Sequence, residues 1–280
     1  MKKISRVNYS ITTDNINMRL LLLTDLHYYN RKDIKKFDSI IDDIKDEKLD
    51  CICVVGDFID SADVDDIDLL VDWFKRLSNI SKVVISLGGH DVVRKVKRRR
   101  EYYYNEELFN KLKKIKNISI LDNDELIIGE VRLIGLSLPL DYYYRYKESI
   151  LYFKKFVNNT FDTFEDKKYN ILLCHTPLPL TKIDNYDEVN LLKNIDLVLS
   201  GHTHAGIVPK CMRKIMKGRG IFSPHGEKMF QKNFYGLVKK NNTDIIISTG
   251  FTKASHCNPF RFLNGLFDKE INIIDLKKKD

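Results

Sequence analysis

With 280 residues, 43% of them hydrophobic and 31% charged, the chain has the size and composition of one large α/β domain and is neither a disordered nor a membrane-embedded polypeptide. Its formal charge of +8 is concentrated in residues 92–117, where ten Lys/Arg stand against three Glu, a patch that favours an anionic partner. Five cysteines, odd in number and scattered, exclude a disulfide framework.

The first apolar run is MRLLLLTDLH, from Met18 to His27. With Arg19 inside it, the run is too short for a signal sequence or a spanning helix, so the expected location is cytoplasmic. No linker or repeat divides the chain, and residues 1–280 read as a single domain. Ile34, Phe37, Ile40, Ile41 and Ile44 fall on one helical stripe. CICVVGDFID reads as a second buried strand, and residues 65–79 as a second helix with acidic residues at its N-terminal end. KVVISLGGHD is the third strand, and strand–helix–strand alternation implies parallel pairing.

Beyond it, the basic segment 92–117 reads as a solvated helix face or an anion-binding patch, with nucleic acid or an acidic membrane surface as candidate partners. LDNDELIIGEVRLIGLSL reads as a hairpin turning at Gly129. NILLCHTP, DLVLSGHTHAG and DIIISTGF supply three more strands, each ending in a polar turn.

Functional groups gather at the carboxyl ends of strands in open α/β sheets, and five of the seven histidines sit there. Asp25 and His27 end the first run, Asp57 and Asp60 the second, His90 and Asp91 the third, His175 the fourth, and His202 with His204 the fifth. Any one of these is an ordinary cap, but carboxylate and imidazole recurring five times point to borderline divalent metals. D-x-H and H-x-H on extended backbone would aim alternate side chains at one point, and Asp57 is the residue best placed to bridge two ions.

D-L-H, G-D-F-I-D, G-G-H-D, C-H-T and G-H-T-H, in this order, resemble the five motifs of the calcineurin-like metallophosphoesterases. The resemblance implies a four-layer α/β/β/α sandwich, two mixed sheets flanked by helices. It implies that Asp25, His27 and His204 hold one metal, that Asp57 bridges, and that His175 and His202 hold the second, the ions being Mn, Fe, Zn or Co. His90 becomes the acid at the leaving oxygen, Asp91 fixes its tautomer, and Asp60 orients a ligating imidazole.

The expected reaction is hydrolysis of phosphate mono- or diesters of a small phosphorylated substrate by water activated between two metals. The sequence departs from the family pattern at Gly89, where an asparagine usually supplies a ligand to the second metal. Asn30 or Asp60 are candidate substitutes. Arg98, Arg99, Arg100, Tyr143 and Arg261 are candidate substrate contacts, the tyrosine clusters 102–104 and 142–144 forming a rim with the arginines. Two further readings compete: a nuclease using the basic segment, and a phospho-ligand-binding protein whose turnover is impaired at Gly89.

Overall fold

The computed structural model describes residues 4–96, 99–139, 155, 168–177, 194–221, 230, 232–240, 242–251 and 269–279. Arg98, Tyr143 and Arg261 lie outside the described residues, as do Tyr142 and Tyr144.

Two six-stranded mixed sheets carry the fold. In chain order the first sheet contains β1 (Ser5–Thr13), β2 (Met18–Leu23), β3 (Cys51–Val55), β4 (Lys82–Ser86), β7 (Ile118–Leu121) and β14 (Glu270–Lys278), in spatial order β1-β14-β2-β3-β4-β7. The second contains β8 (Glu125–Ile128), β9 (Val131–Leu136), β10 (Tyr169–Cys174), β11 (Leu197–Ser200), β12 (Gly236–Lys240) and β13 (Thr243–Ile247), in spatial order β12-β13-β11-β10-β9-β8. β2, β3, β4 and β7 run parallel, as do β9, β10, β11 and β13, so each group delivers its carboxyl ends to one edge.

The period of two in the apolar runs explains the layering. Leu21 and Leu23 of β2 and Ile52 and Val54 of β3 face helices α1 (Ile34–Ile44), α2 (Ile67–Ser78) and α3 (Glu106–Lys113). Their neighbours Leu20, Leu22, Cys51, Cys53 and Val55 face the second sheet and pack with Leu133, Ile171, Leu173, Leu197, Leu199 and Ile246. Both sides are therefore dry, and each such aliphatic side chain contributes roughly 1.5–3 kcal/mol on burial. The helix stripes point as their spacing predicts: Phe37, Ile40 and Ile44 of α1 are buried, with Leu70, Trp73, Phe74 and Leu77 of α2. The expected fourth layer, helices over the outer face of the second sheet, lies outside the described residues.

The β8–β9 hairpin turns at Gly129, whose φ of 58° is left-handed. Two elements differ from the sequence reading. β1 is an unpredicted strand that pairs along all nine residues with β14; its SRVNYSITT alternates exposed positions with intermediate ones and, at Ile11 and Thr13, buried ones, as an edge strand does. Residues 93–102 are not helical: β5 (Val93–Val96) and β6 (Arg99–Tyr102) form an antiparallel ribbon, and helix begins only at Glu106. β-branched Val92, Val93 and Val96, with Tyr102 and Tyr103 opposite, favour the pleat over the helix.

Candidate metal centre

The exit loops of β2 and β3 stay knitted beyond the strands. Asp25 donates its backbone N–H to Gly56 O, His27 to Asp57 O and Tyr28 to Phe58 O. This holds the two motif loops side by side.

The side chains do not converge by extended alternation, as D-x-H and H-x-H predict. Asp25, His27, Asp57, His202 and His204 all have φ between 44° and 68°, left-handed backbone that costs about 1–2 kcal/mol for a residue with a Cβ. The chain bends sharply at each strand end, and the bend aims the side chains inward. Neighbouring glycines make room for that bend: a Cβ on Gly250 would lie 2.7 Å from Asp25 Cβ, and one on Gly88 2.3 Å from Asp57 Oδ1. Close approach, rather than an unusual φ, is why residue 88 is glycine.

Each aspartate uses one oxygen as an anchor and presents the other to imidazoles. Asp25 Oδ2 accepts from Thr24 Oγ1 at 2.7 Å and His202 N at 3.1 Å. Its Oδ1 has no hydrogen-bond partner among the described residues and faces His204 Nε2 at 3.4 Å, His27 Nε2 at 3.8 Å and His175 Nε2 at 3.9 Å. Asp57 Oδ1 accepts from His90 N at 2.9 Å, and its Oδ2 meets His175 Nε2 at 2.9 Å. Burial would raise the Asp57 carboxyl, but the charges of His175 and His90 outweigh it and hold Asp57 well below the usual carboxylate range. Burial also disfavours charge on His175, yet Asp57 and Asp25 raise it to about 10. Buried His27 is pushed well down and stays neutral, its lone pair available.

Three groups of donor atoms lie within 4.8 Å of one another: Asp25, His27 and His204; His27, Asp57 and His90; Asp57, His175 and His202. His27 and Asp57 each belong to two of them. Buried carboxylate and imidazole atoms facing one another without direct hydrogen bonds, as Asp25 Oδ1 and both His27 ring nitrogens do, fit divalent cations of the borderline class. His175 Nδ1 lies 2.9 Å from Val55 O, so that nitrogen keeps its proton, and Nε2, which faces Asp57, is the atom open to a metal once it sheds its own.

Asp91 differs from its expected role. Its carboxylate does not orient His90; it accepts backbone N–H groups from Gly88 at 2.7 Å, Asp57 at 2.8 Å and Ile59 at 3.2 Å. The ring of His90 is set instead by the carbonyl of Asp60, 2.7 Å from Nδ1. Directly following His90 in the chain, Asp91 faces the opposite way and ties the β3 and β4 exit loops together. Burial pushes its carboxyl up to about 7, with Asp57 adding to the rise.

Asp60 Oδ1 also stands 3.7 Å from His27 Nδ1, beside two imidazoles at once. Asn30 Oδ1 accepts from Lys32 N at 3.0 Å and belongs to the turn before α1. Gly89 is buried at φ −64°, ψ −36°, ordinary right-handed backbone. Arg99 and Arg100 are exposed on β6. Thr24, the anchor of Asp25, is a site residue the sequence reading missed; a hydroxyl directly before a strand-end aspartate is its one sequence signal. A separate open cleft of about 580 Å³ lies between Thr12–Ile16 and Asp196, Lys239 and Asp244, at the amino ends of β10, β11 and β13, with no histidine among the described residues that line it.

A model of the calcineurin-like phosphoesterases matches residues 18–206. An uncharacterized metallophosphoesterase of Campylobacter jejuni is 26% identical over 283 residues, covering 99% of this chain and 64% of the relative. One of Helicobacter pylori is 25% identical over 251 residues, covering 88% of this chain and 57% of the relative. The chain thus spans about three fifths of the length of these curated relatives. A solved phosphopantetheinyl hydrolase from Mycobacterium tuberculosis superposes with a TM-score of 0.45 at 13% identity, over 81% of this chain and 87% of that one.

Proposed function

The chain belongs to the calcineurin-like phosphoesterase family, and on that premise we propose that it hydrolyses phosphate mono- or diesters at the centre formed by Asp25, His27, Asp57, His90, His175, His202 and His204. The observation that carries this reading is the trio of histidine–aspartate groups, each within 4.8 Å, that share His27 and Asp57. In it, Asp25, His27 and His204 would hold one cation and His175 and His202 another, with Asp57 as the carboxylate shared between them. Two cations so held would supply positive charge against a phosphoryl group and lower the pKa of an attacking water.

The chain's own residues handle position and protons. Asp25 and Asp57 are each anchored through one oxygen, so their other oxygens are fixed before anything binds. His90 keeps its Nδ1 proton on the Asp60 carbonyl, which leaves Nε2 as the atom that holds a proton and passes it to the departing ester oxygen. Asp91 braces the loop on which His90 stands. Water adds to phosphorus, the P–O ester bond breaks, the alcohol leaves with the proton from His90, and a proton released by the added water restores His90.

Gly89 offers no side-chain ligand and Asn30 Oδ1 already accepts from Lys32 N, so the second cation would be held more weakly than the first. The test is direct. Protein incubated with manganese is expected to hydrolyse an aryl phosphate or a bis-aryl diester, and Asp57→Ala to abolish that activity; turnover that survives the substitution overturns the reading.

A further inference from the structure

The ligand loop runs from His202 and His204 straight into helix α4 (Lys210–Met216), and none of that helix's side chains is buried. Ile215 is 78% exposed and Met212, one turn earlier on the same face, 39%. Exposing two large apolar side chains on a seven-residue helix costs free energy that a folded chain normally recovers by turning them inward. Here the opposite side is already committed. Arg213, on the other face, reaches Glu270 Oε2 at 3.2 Å, and the Arg213 carbonyl accepts from Tyr235 Oη at 2.8 Å. The helix is therefore pinned with Ile215 and Met212 outward.

Cations surround these apolar side chains. Lys210, Lys214, Lys217 and Arg219 are exposed, and no Asp or Glu occurs between Ala205 and Ile221. Arg219 donates to Phe230 O at 3.2 Å, and the Phe230 side chain is half-exposed.

The helix also stands at the edge where the candidate centre opens. Glu270, its anchor, donates its backbone N–H to Gly250 O, and Gly250 packs on Asp25. The β5–β6 ribbon rises from the same edge, directly after His90–Val92, with Val96 and Tyr102 exposed among Arg99 and Arg100.

We propose that α4, aided by the β5–β6 ribbon, docks the protein on an anionic lipid bilayer with the candidate centre facing the membrane. Such a surface supplies both partners this face asks for: headgroup charge for the lysines and acyl chains for Ile215 and Met212. A nucleic acid offers phosphates but no apolar slot for Ile215, and a second copy of this chain would set the same cations against one another. The docking surface stands apart from the metal assignment. An amphiphilic phosphoester as substrate would follow from the two together.

Sedimentation with vesicles tests it, using the full chain with chelator present so that the metal reading plays no part. Phosphatidylcholine vesicles containing about a third phosphatidylglycerol should bring the protein down, and pure phosphatidylcholine should not. Ile215→Asp should weaken the partition at least ten-fold, and Lys214→Ala with Lys217→Ala by about 25-fold, at roughly five-fold per charge. Soluble aryl phosphate turnover in the presence of manganese should be unchanged in both variants, as neither touches the centre. Failure to sediment with anionic vesicles, or sedimentation that ignores Ile215→Asp, overturns the proposal. Duplex DNA binding that falls with the lysine pair and not with Ile215→Asp would assign the face to nucleic acid and equally overturn it.

Discussion

Asp91→Ala separates a brace from a proton relay. Its carboxylate accepts three backbone N–H groups, from Gly88, Asp57 and Ile59, at 2.7, 2.8 and 3.2 Å, and all are buried. Alanine leaves these donors with no acceptor, at about 1–3 kcal/mol each, so a loss of about 3–6 kcal/mol is expected after partial relaxation. For a chain of this size that lowers the thermal midpoint by about 10 °C or more. The loss also depends on pH. The folded carboxyl sits at about 7, above its unfolded value near 3.9, so its stabilising contribution is complete below about 3.9 and is lost as pH rises through about 7. Melting parent and variant with chelator present should therefore give a larger gap at about pH 5 than at about pH 8. A variant that melts with the parent while losing turnover would refute this reasoning and return Asp91 to the role of partner to His90.

His90→Asn should reduce kcat about 10²–10⁴-fold without changing metal content or melting, measured on an aryl phosphate and by elemental analysis. A Cβ on Gly201 would lie 2.0 Å from Thr24 Oγ1 and 2.4 Å from Asp25 Oδ2, so Gly201→Ala should displace Asp25 and lower metal content in the purified variant. His175, which burial would lower but Asp57 and Asp25 raise to about 10, must shed its proton to ligate a metal; titration calorimetry should show metal affinity rising about ten-fold per pH unit below that value. Gly89→Asn, at a backbone conformation open to any residue, should tighten the weaker metal site and raise turnover; no change in either would mean that another group fills that position.

Much of the fold is legible in the sequence because the buried strands declare themselves. MRLLLL, CICVV and KVVIS are apolar on both faces, and the stripes of α1 and α2 repeat at helical spacing. β1 is not legible, because an edge strand pairs through its backbone and leaves its side chains polar. The β5–β6 ribbon hides for a related reason: its run of lysines and arginines looks like a helix face, and only the valines and tyrosines across the pair betray the pleat.

At the centre, the residue types at the strand ends are readable, whereas the backbone that aims them is not. Left-handed φ at Asp25 goes with the close approach of Gly250 and Gly201, a property of the packed structure. Adjacency misleads at Asp91, since consecutive residues in a tight turn face apart and the partner of His90 proves to be the distant carbonyl of Asp60.

Metal content per chain tests the central claim most directly. Protein saturated with manganese and freed of excess should carry two ions per chain by elemental analysis, with anomalous scattering locating both beside Asp57. One ion at most, or two that survive Asp57→Ala, would contradict a centre built around that bridging carboxylate.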